Sequence, residues 1–111
     1  MISTHVLDLS IGRPAPGIRV VLAAIEDGRR STVGAAVTDA DGRVVDIVPS
    51  SRRLDAAIYE LSFETGIYFT ARGVAPFHPR VSITFEITDP EQHYHVPLLI
   101  SPYGYTTYRG S

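Results

Sequence analysis

The sequence predicts an all-β fold, an antiparallel β-sandwich of about eight strands with one short helix. Two observations carry that expectation. Short alternating segments rich in β-branched and aromatic residues recur at close spacing, separated by Gly, Pro and Asp. Only one stretch has a composition that suits helical turns.

The first strand is expected over Ser3 to Leu9. IGRPAPG then interrupts pairing, because proline cannot donate to a ladder. A second strand covers Ile18 to Ile25, with EDGRR as its turn, and a third runs from Thr32 to Thr38. The turn Asp39-Ala40-Asp41-Gly42 hands over to a fourth strand, Arg43 to Ile47, and Ala57 to Thr65 alternates again. The segment from Thr65 to Gly73 suits one or two helical turns closed by glycine. From Arg80 to Thr88 the pattern has period two, with Val81, Ile83, Phe85 and Ile87 on one face. The strands His93 to Ile100 and Tyr105 to Ser111 finish the chain, hinged at Ser101-Pro102-Tyr103-Gly104.

At 111 residues, a single domain over residues 1–111 is expected, long enough to bury one core. Hydrophobic residues make up 44 % and charged residues 20 %, a globular balance. A net charge of -2 gives no electrostatic case for a nucleic acid or an anionic membrane as partner. All 10 basic residues are Arg, so Schiff-base chemistry and a lysine phosphate loop are excluded. With no Cys, a thiol nucleophile, a disulfide and a Cys-ligated metal are excluded too. No apolar run is long enough to span a bilayer, and MISTHVLDLS lacks the basic region and cleavage site of a signal peptide. A cytoplasmic protein is expected.

Chemistry concentrates in a few residues. His93 and His95 stand two apart in a strand, so they share a face. That spacing suits zinc held from a strand with His5 as third ligand, and it equally suits imidazoles that carry protons. Spacing alone does not separate the two. His5 by itself reads as a satisfied histidine on a sheet face, and His78, between prolines, as a loop residue. Arg43 is either a solvated strand-start arginine paired to Asp39 or Asp41, or a forked clamp for a planar carbonyl group.

In their order along the chain these segments carry a resemblance. Thr4-His5-Val6-Leu7-Asp8, Gly12-Arg13-Pro14-Ala15, Asp41-Gly42-Arg43 and the closing HYHVPLLISPYGYTTYRGS resemble the transthyretin-related 5-hydroxyisourate hydrolases of urate breakdown, over essentially the whole chain. The carrier transthyretin shares the fold and the Leu-x-Ser-Pro-Tyr portion but lacks the His-x-His and the YRGS ending. Thr106 stands where the family commonly has Ser, and His78 where it commonly has Tyr.

The resemblance implies a hydrolase of a small purine-derived cyclic amide, and no metal or cofactor is expected, because imidazoles used as acid and base must be free to titrate and the sequence offers no obvious carboxylate to support a zinc–histidine site. It implies His5, Arg43, His95 and Ser111 as catalytic residues and His5, Arg43 and Tyr108 as substrate-binding ones. His93 matches the motif but receives no chemical role. The family's assembly is a homotetramer, a dimer of dimers, in which strands near the chain end line a channel across the interface. There Tyr108 narrows the channel to a shallow pocket, and YRGS ends the chain because it closes the site. The rivals are a transthyretin-like carrier of a small ligand and a zinc hydrolase using His5, His93 and His95.

Overall fold

Two sheets face each other across one core, and hydrophobic alternation along each strand decides which residues enter it. The computed structural model describes all 111 residues. The strands are β1 (Ile2–Asp8), β2 (Arg13–Pro14), β3 (Arg19–Glu26), β4 (Arg29–Val37), β5 (Arg43–Val44), β6 (Ala57–Phe63), β7 (Val81–Ile87), β8 (Tyr94–Ile100) and β9 (Tyr105–Thr107). A single helix, α1 (Thr65–Ala71), lies between β6 and β7. One sheet has the order β4-β3-β6-β7. The other has the order β2-β1-β8-β9, with β5 also paired to β1. Ile2, Val6, Leu22, Leu61, Phe63 and Leu98 are fully buried between the sheets. No helix is long and apolar enough to cross a membrane.

The sandwich matches the expected class, and five local differences matter. The pair β1–β8 runs parallel, the one parallel ladder in a set of otherwise antiparallel pairs. Alternation tells which face a side chain takes, not which way its neighbour runs. The proline segment does not wholly escape pairing: Arg13 and Pro14 form β2 against Asp8 and Leu7. This short pairing lies at a sheet edge, where proline is tolerated.

The strand expected over Arg43 to Ile47 is only Arg43–Val44, because the chain then leaves the sheet and sends Ile47 into the core. Similarly, regular β9 stops at Thr107, but the tail runs on along β8 in the same antiparallel register, so that Gly110 bridges to His95. With β9 so short, the middle of β7 is incompletely covered. Val81 and Ile87 are buried, whereas Ile83 and Phe85 are half-buried and face a groove. The turn expected as EDGRR tightens to Asp27-Gly28, which leaves Arg30 on β4 to make a two-pronged ion pair with the buried Glu60 of β6.

One buried carboxylate ties the helix to the end of β1. Asp8 accepts hydrogen bonds from the Ser10 amide and hydroxyl on Oδ1, and from the Tyr68 hydroxyl of α1 on Oδ2 at 2.8 Å. Burial, reinforced by Asp8, pushes the Tyr68 hydroxyl up to about 12. Tyr68→Phe removes one buried donor and strands a carboxylate oxygen. The expected loss is about 1–3 kcal/mol of stability, read as a lower urea midpoint with unchanged far-UV circular dichroism.

Candidate functional site

The parallel ladder puts Ser3 opposite His95 and His5 opposite Pro97. Residues two apart share a sheet face, so Ser3, His5 and His95 all stand on the outer side of this sheet. On the other edge of β1, His5 pairs with Arg43 of β5. Three of the expected site residues, far apart in sequence, are thereby neighbours on one surface. A cleft of about 260 Å³ opens there, with Ser3, Arg43, His93, His95 and Ser111 in its wall. That is below the range of about 300–1,000 Å³ usual for drug-sized ligands, so it suits a small one.

The turn before Arg43 is built to hold still. Asp39 Oδ1 accepts from the amides of Asp41 and Arg43, both at 2.9 Å, and the Gly42 carbonyl accepts from the Val6 amide at 2.8 Å. Gly42 has φ +73°, and a Cβ there would strike the Val6 carbonyl, so only glycine lets the turn lie flat on β1. Asp39 spends its carboxylate on backbone amides, and the Arg43 guanidinium forms no ion pair within the chain. The solvated pairing of Arg43 with Asp39 or Asp41 does not form. Its five donors remain free for a ligand.

The two site histidines have distinct free atoms. His5 Nε2 lies 2.8 Å from the Asp41 carbonyl, which can only accept, so Nε2 carries the proton and Nδ1 is the exchangeable nitrogen. In His95, Nδ1 lies 2.8 Å from Ser3 Oγ, which leaves Nε2 free. The His95 imidazole titrates below the ordinary histidine value. Burial is the first cause, and the positive fields of His93, Arg43 and His5 act in the same direction. The result is a neutral base beside a free guanidinium.

The closing tetrapeptide divides its work. The Arg109 guanidinium stacks 4.5 Å over the Tyr94 ring and donates to Gln92 Oε1 at 3.0 Å, which anchors the tail. The Gly110 amide donates to the His95 carbonyl at 2.8 Å. A Cβ on Gly110 would sit 2.5 Å from His95 Cδ2, so glycine is needed for the tail to lie against the imidazole edge. Ser111 reaches the cleft mouth. Tyr108 does not: within one chain it lines the separate groove with Ile83, Phe85, Tyr94, Val96 and Thr107.

Sequence reasoning missed Ser3, whose hydroxyl bridges both histidines, and gave Gly110 only as part of the closing YRGS, without its contact on His95. The parallel register was the signal lacking for the first. For the second, a glycine two residues after an exposed aromatic gave no hint of close approach. No three His, Asp or Glu side chains converge on a metal position, because His5 turns Nε2 to a carbonyl while His93 and His95 both face Ser3. His78 is the expected loop residue, its ring edge-on to Phe77 and Tyr105.

Residues 2–110 match the HIUase/Transthyretin family. A 5-hydroxyisourate hydrolase of Salmonella dublin is 40% identical over 111 residues, which covers 100% of this chain and 81% of that protein. The structure of a Klebsiella pneumoniae 5-hydroxyisourate hydrolase superposes with a TM-score of 0.85 at 42% identity, covering 99% of this chain and 98% of that one. Sea bream transthyretin in complex with thyroxine gives a TM-score of 0.90 at 30% identity, covering 98% and 93%. Backbone shape alone therefore does not tell a hydrolase from a carrier.

Gly110→Ala tests the packing of the tail on His95. The added methyl displaces either the ring or the tail, and both expose the imidazole to water. The His95 pKa, followed by NMR titration, should rise toward the ordinary value of about 6.5, with the sandwich intact by circular dichroism. An unmoved titration would mean that the tail does not pack on the ring.

Proposed function

The chain belongs to the HIUase/Transthyretin family, and from that membership we propose that it hydrolyses 5-hydroxyisourate to 2-oxo-4-hydroxy-4-carboxy-5-ureidoimidazoline, a cyclic-amide opening in urate degradation. The observation that carries the proposal is the cleft in which a neutral His95 and an unpaired Arg43 share one wall. Opening a cyclic amide at neutral pH needs an activated water, a stabilised oxyanion and a proton for the departing nitrogen. His95, held neutral, accepts the water's proton at Nε2. Arg43 grips the ring carbonyls with its planar fork and stabilises the oxyanion. His5 keeps its Nε2 proton on the Asp41 carbonyl, takes up a second proton from solvent at Nδ1 and passes that one to the departing nitrogen, and Ser111 orients the water or a histidine at the mouth. A carrier of an apolar ligand would want an apolar cleft, whereas this one sets Arg43, His93, His95, Ser3 and Ser111 beside Met1, Val44 and Val45.

We also propose that the working form is a cytoplasmic homotetramer, a dimer of dimers, with Tyr108 completing a site across a subunit boundary. Two observations support it. Strands β7 and β9 end their sheets with open edges, and the groove between them exposes Ile83, Phe85 and Tyr108 among threonines, Glu86 and Arg109. Tyr108 reaches no His-lined cleft of its own chain. Light scattering should report four chains per particle. A fully active monomer would overturn this assembly.

The decisive assay is the absorbance of freshly made 5-hydroxyisourate, which should decay faster when the protein is added. Because the His95 pKa is depressed, its neutral form persists as pH falls, so the acidic limb of kcat/KM should lie below about 6.5. Arg43→Lys keeps the charge but loses the planar two-pronged contact, and it should cost about 10²-fold or more in rate. Near-normal turnover in that variant would reduce Arg43 to a turn residue. No acceleration by the wild-type chain would overturn the proposed activity.

A further inference from the structure

We propose that the Ser3 hydroxyl is a positioning residue and proton relay that joins His95 in the cleft to the exposed His93, so that the proton taken up by His95 is held on His93. The inference rests on the hydrolytic reading for its kinetic consequences, though the bridge itself is a matter of geometry. Ser3 Oγ lies 2.8 Å from His95 Nδ1 and 2.7 Å from His93 Nε2. Ser3 is buried, while His93 faces solvent, and the two imidazole centroids are 6.4 Å apart. The rings are thus too far apart for a direct hydrogen bond, and the hydroxyl spans the gap.

A hydroxyl has one proton to donate. It therefore donates to one ring nitrogen and accepts from the other, which gives the two histidines linked tautomers. In the resting arrangement His95 Nδ1–H donates to Ser3 Oγ, and Ser3 O–H donates to His93 Nε2. His95 Nε2 is then a bare lone pair, as a base requires. When Nε2 takes a proton from water, His95 Nδ1 passes its own proton to Ser3 Oγ as the Ser3 proton moves to His93 Nε2. His95 returns to a neutral form with the proton on Nε2, and His93 becomes the imidazolium. No proton is gained or lost in the transfer, and His93 sheds its extra one to bulk water.

The direction of transfer has a physical cause. A cation on His95 would be partly buried and close to the Arg43 guanidinium and the His5 ring, the charged and titratable neighbours contributed by β5 and β1. Moving the charge to His93 places it on an exposed ring that water solvates. This leaves the guanidinium field for the substrate oxyanion. It also accounts for His-x-His spacing without a metal, because both rings must flank the same hydroxyl.

The test combines nitrogen NMR with kinetics on Ser3→Ala, Ser3→Thr and His93→Ala. In the wild-type chain, 15N shifts of labelled histidine should show His95 protonated at Nδ1 at neutral pH. Ser3→Ala should lose that preference and lower kcat on the order of tenfold or more, with KM little changed. Ser3→Thr keeps a hydroxyl and should restore both. His93→Ala alters an exposed side chain, so it reports even if Ser3→Ala fails to fold, and it should lower kcat in the same way. Wild-type kcat in Ser3→Ala, or in His93→Ala when Ser3→Ala does not fold, would overturn the relay, as would a His95 tautomer unchanged by removal of the hydroxyl. If the wild-type chain does not hydrolyse 5-hydroxyisourate, the proposed activity fails, whereas the bridge stands or falls on the nitrogen spectra.

Discussion

Seven consecutive residues of β1 pair in parallel with seven of β8, Ile2 with Tyr94 through Asp8 with Ile100. The site depends on that register. A slip of one residue would exchange the faces of every side chain on one strand. Ser3 would leave His95, His5 would turn toward the core, and Val6 and Leu98 would lose their places in it. Burial of Ile2, Val6, Leu98 and Ile100 thus holds the polar face in alignment, although none of them touches a ligand. The buried Thr4 hydroxyl, which donates to the Val96 carbonyl at 2.6 Å, adds a side-chain bond across the same ladder.

Around this ladder the remaining site elements are attached by backbone rather than by side-chain ion pairs. The Asp39–Gly42 turn docks on β1 through the Gly42 carbonyl, and the tail docks on β8 through the Gly110 amide. In both places glycine permits a contact that a side chain would block. Such attachment leaves the Arg43 guanidinium and the outer imidazole nitrogens without partners inside the chain. Preorganised groups of this kind need little rearrangement when charge develops on a ligand.

The accumulation of positive charge on one small surface has an electrostatic effect. His5, Arg43 and His93 all oppose protonation of His95, and its partial burial does the same. The cleft therefore combines a permanent cation with a base that stays neutral. A carboxylate paired to Arg43 would have annulled this combination, but Arg43 makes no ion pair and Asp39 spends its carboxylate on amides. The fold superposes as well on a thyroxine carrier as on a hydrolase, so the sandwich itself does not distinguish the two.

Alternation, turn residues and composition made much of this protein legible in its sequence. Period-two patterning placed most strands within a few residues, glycine and proline marked the turns, and the His-x-His spacing put two imidazoles on one face. The missing Cys and Lys removed whole chemistries, and the resemblance singled out His5, Arg43 and His95, which share a surface. The tertiary structure decided the rest. The parallel direction of β1 against β8, the bridge from Ser3 to residues 90 and 92 positions away, the tail of Gly110 on His95 and the turning of Tyr108 into a different groove are all long-range placements. Local patterning reports whether a side chain faces the core or solvent. Which distant residue meets it there depends on strand order, direction and register, and these emerge only when the whole core packs.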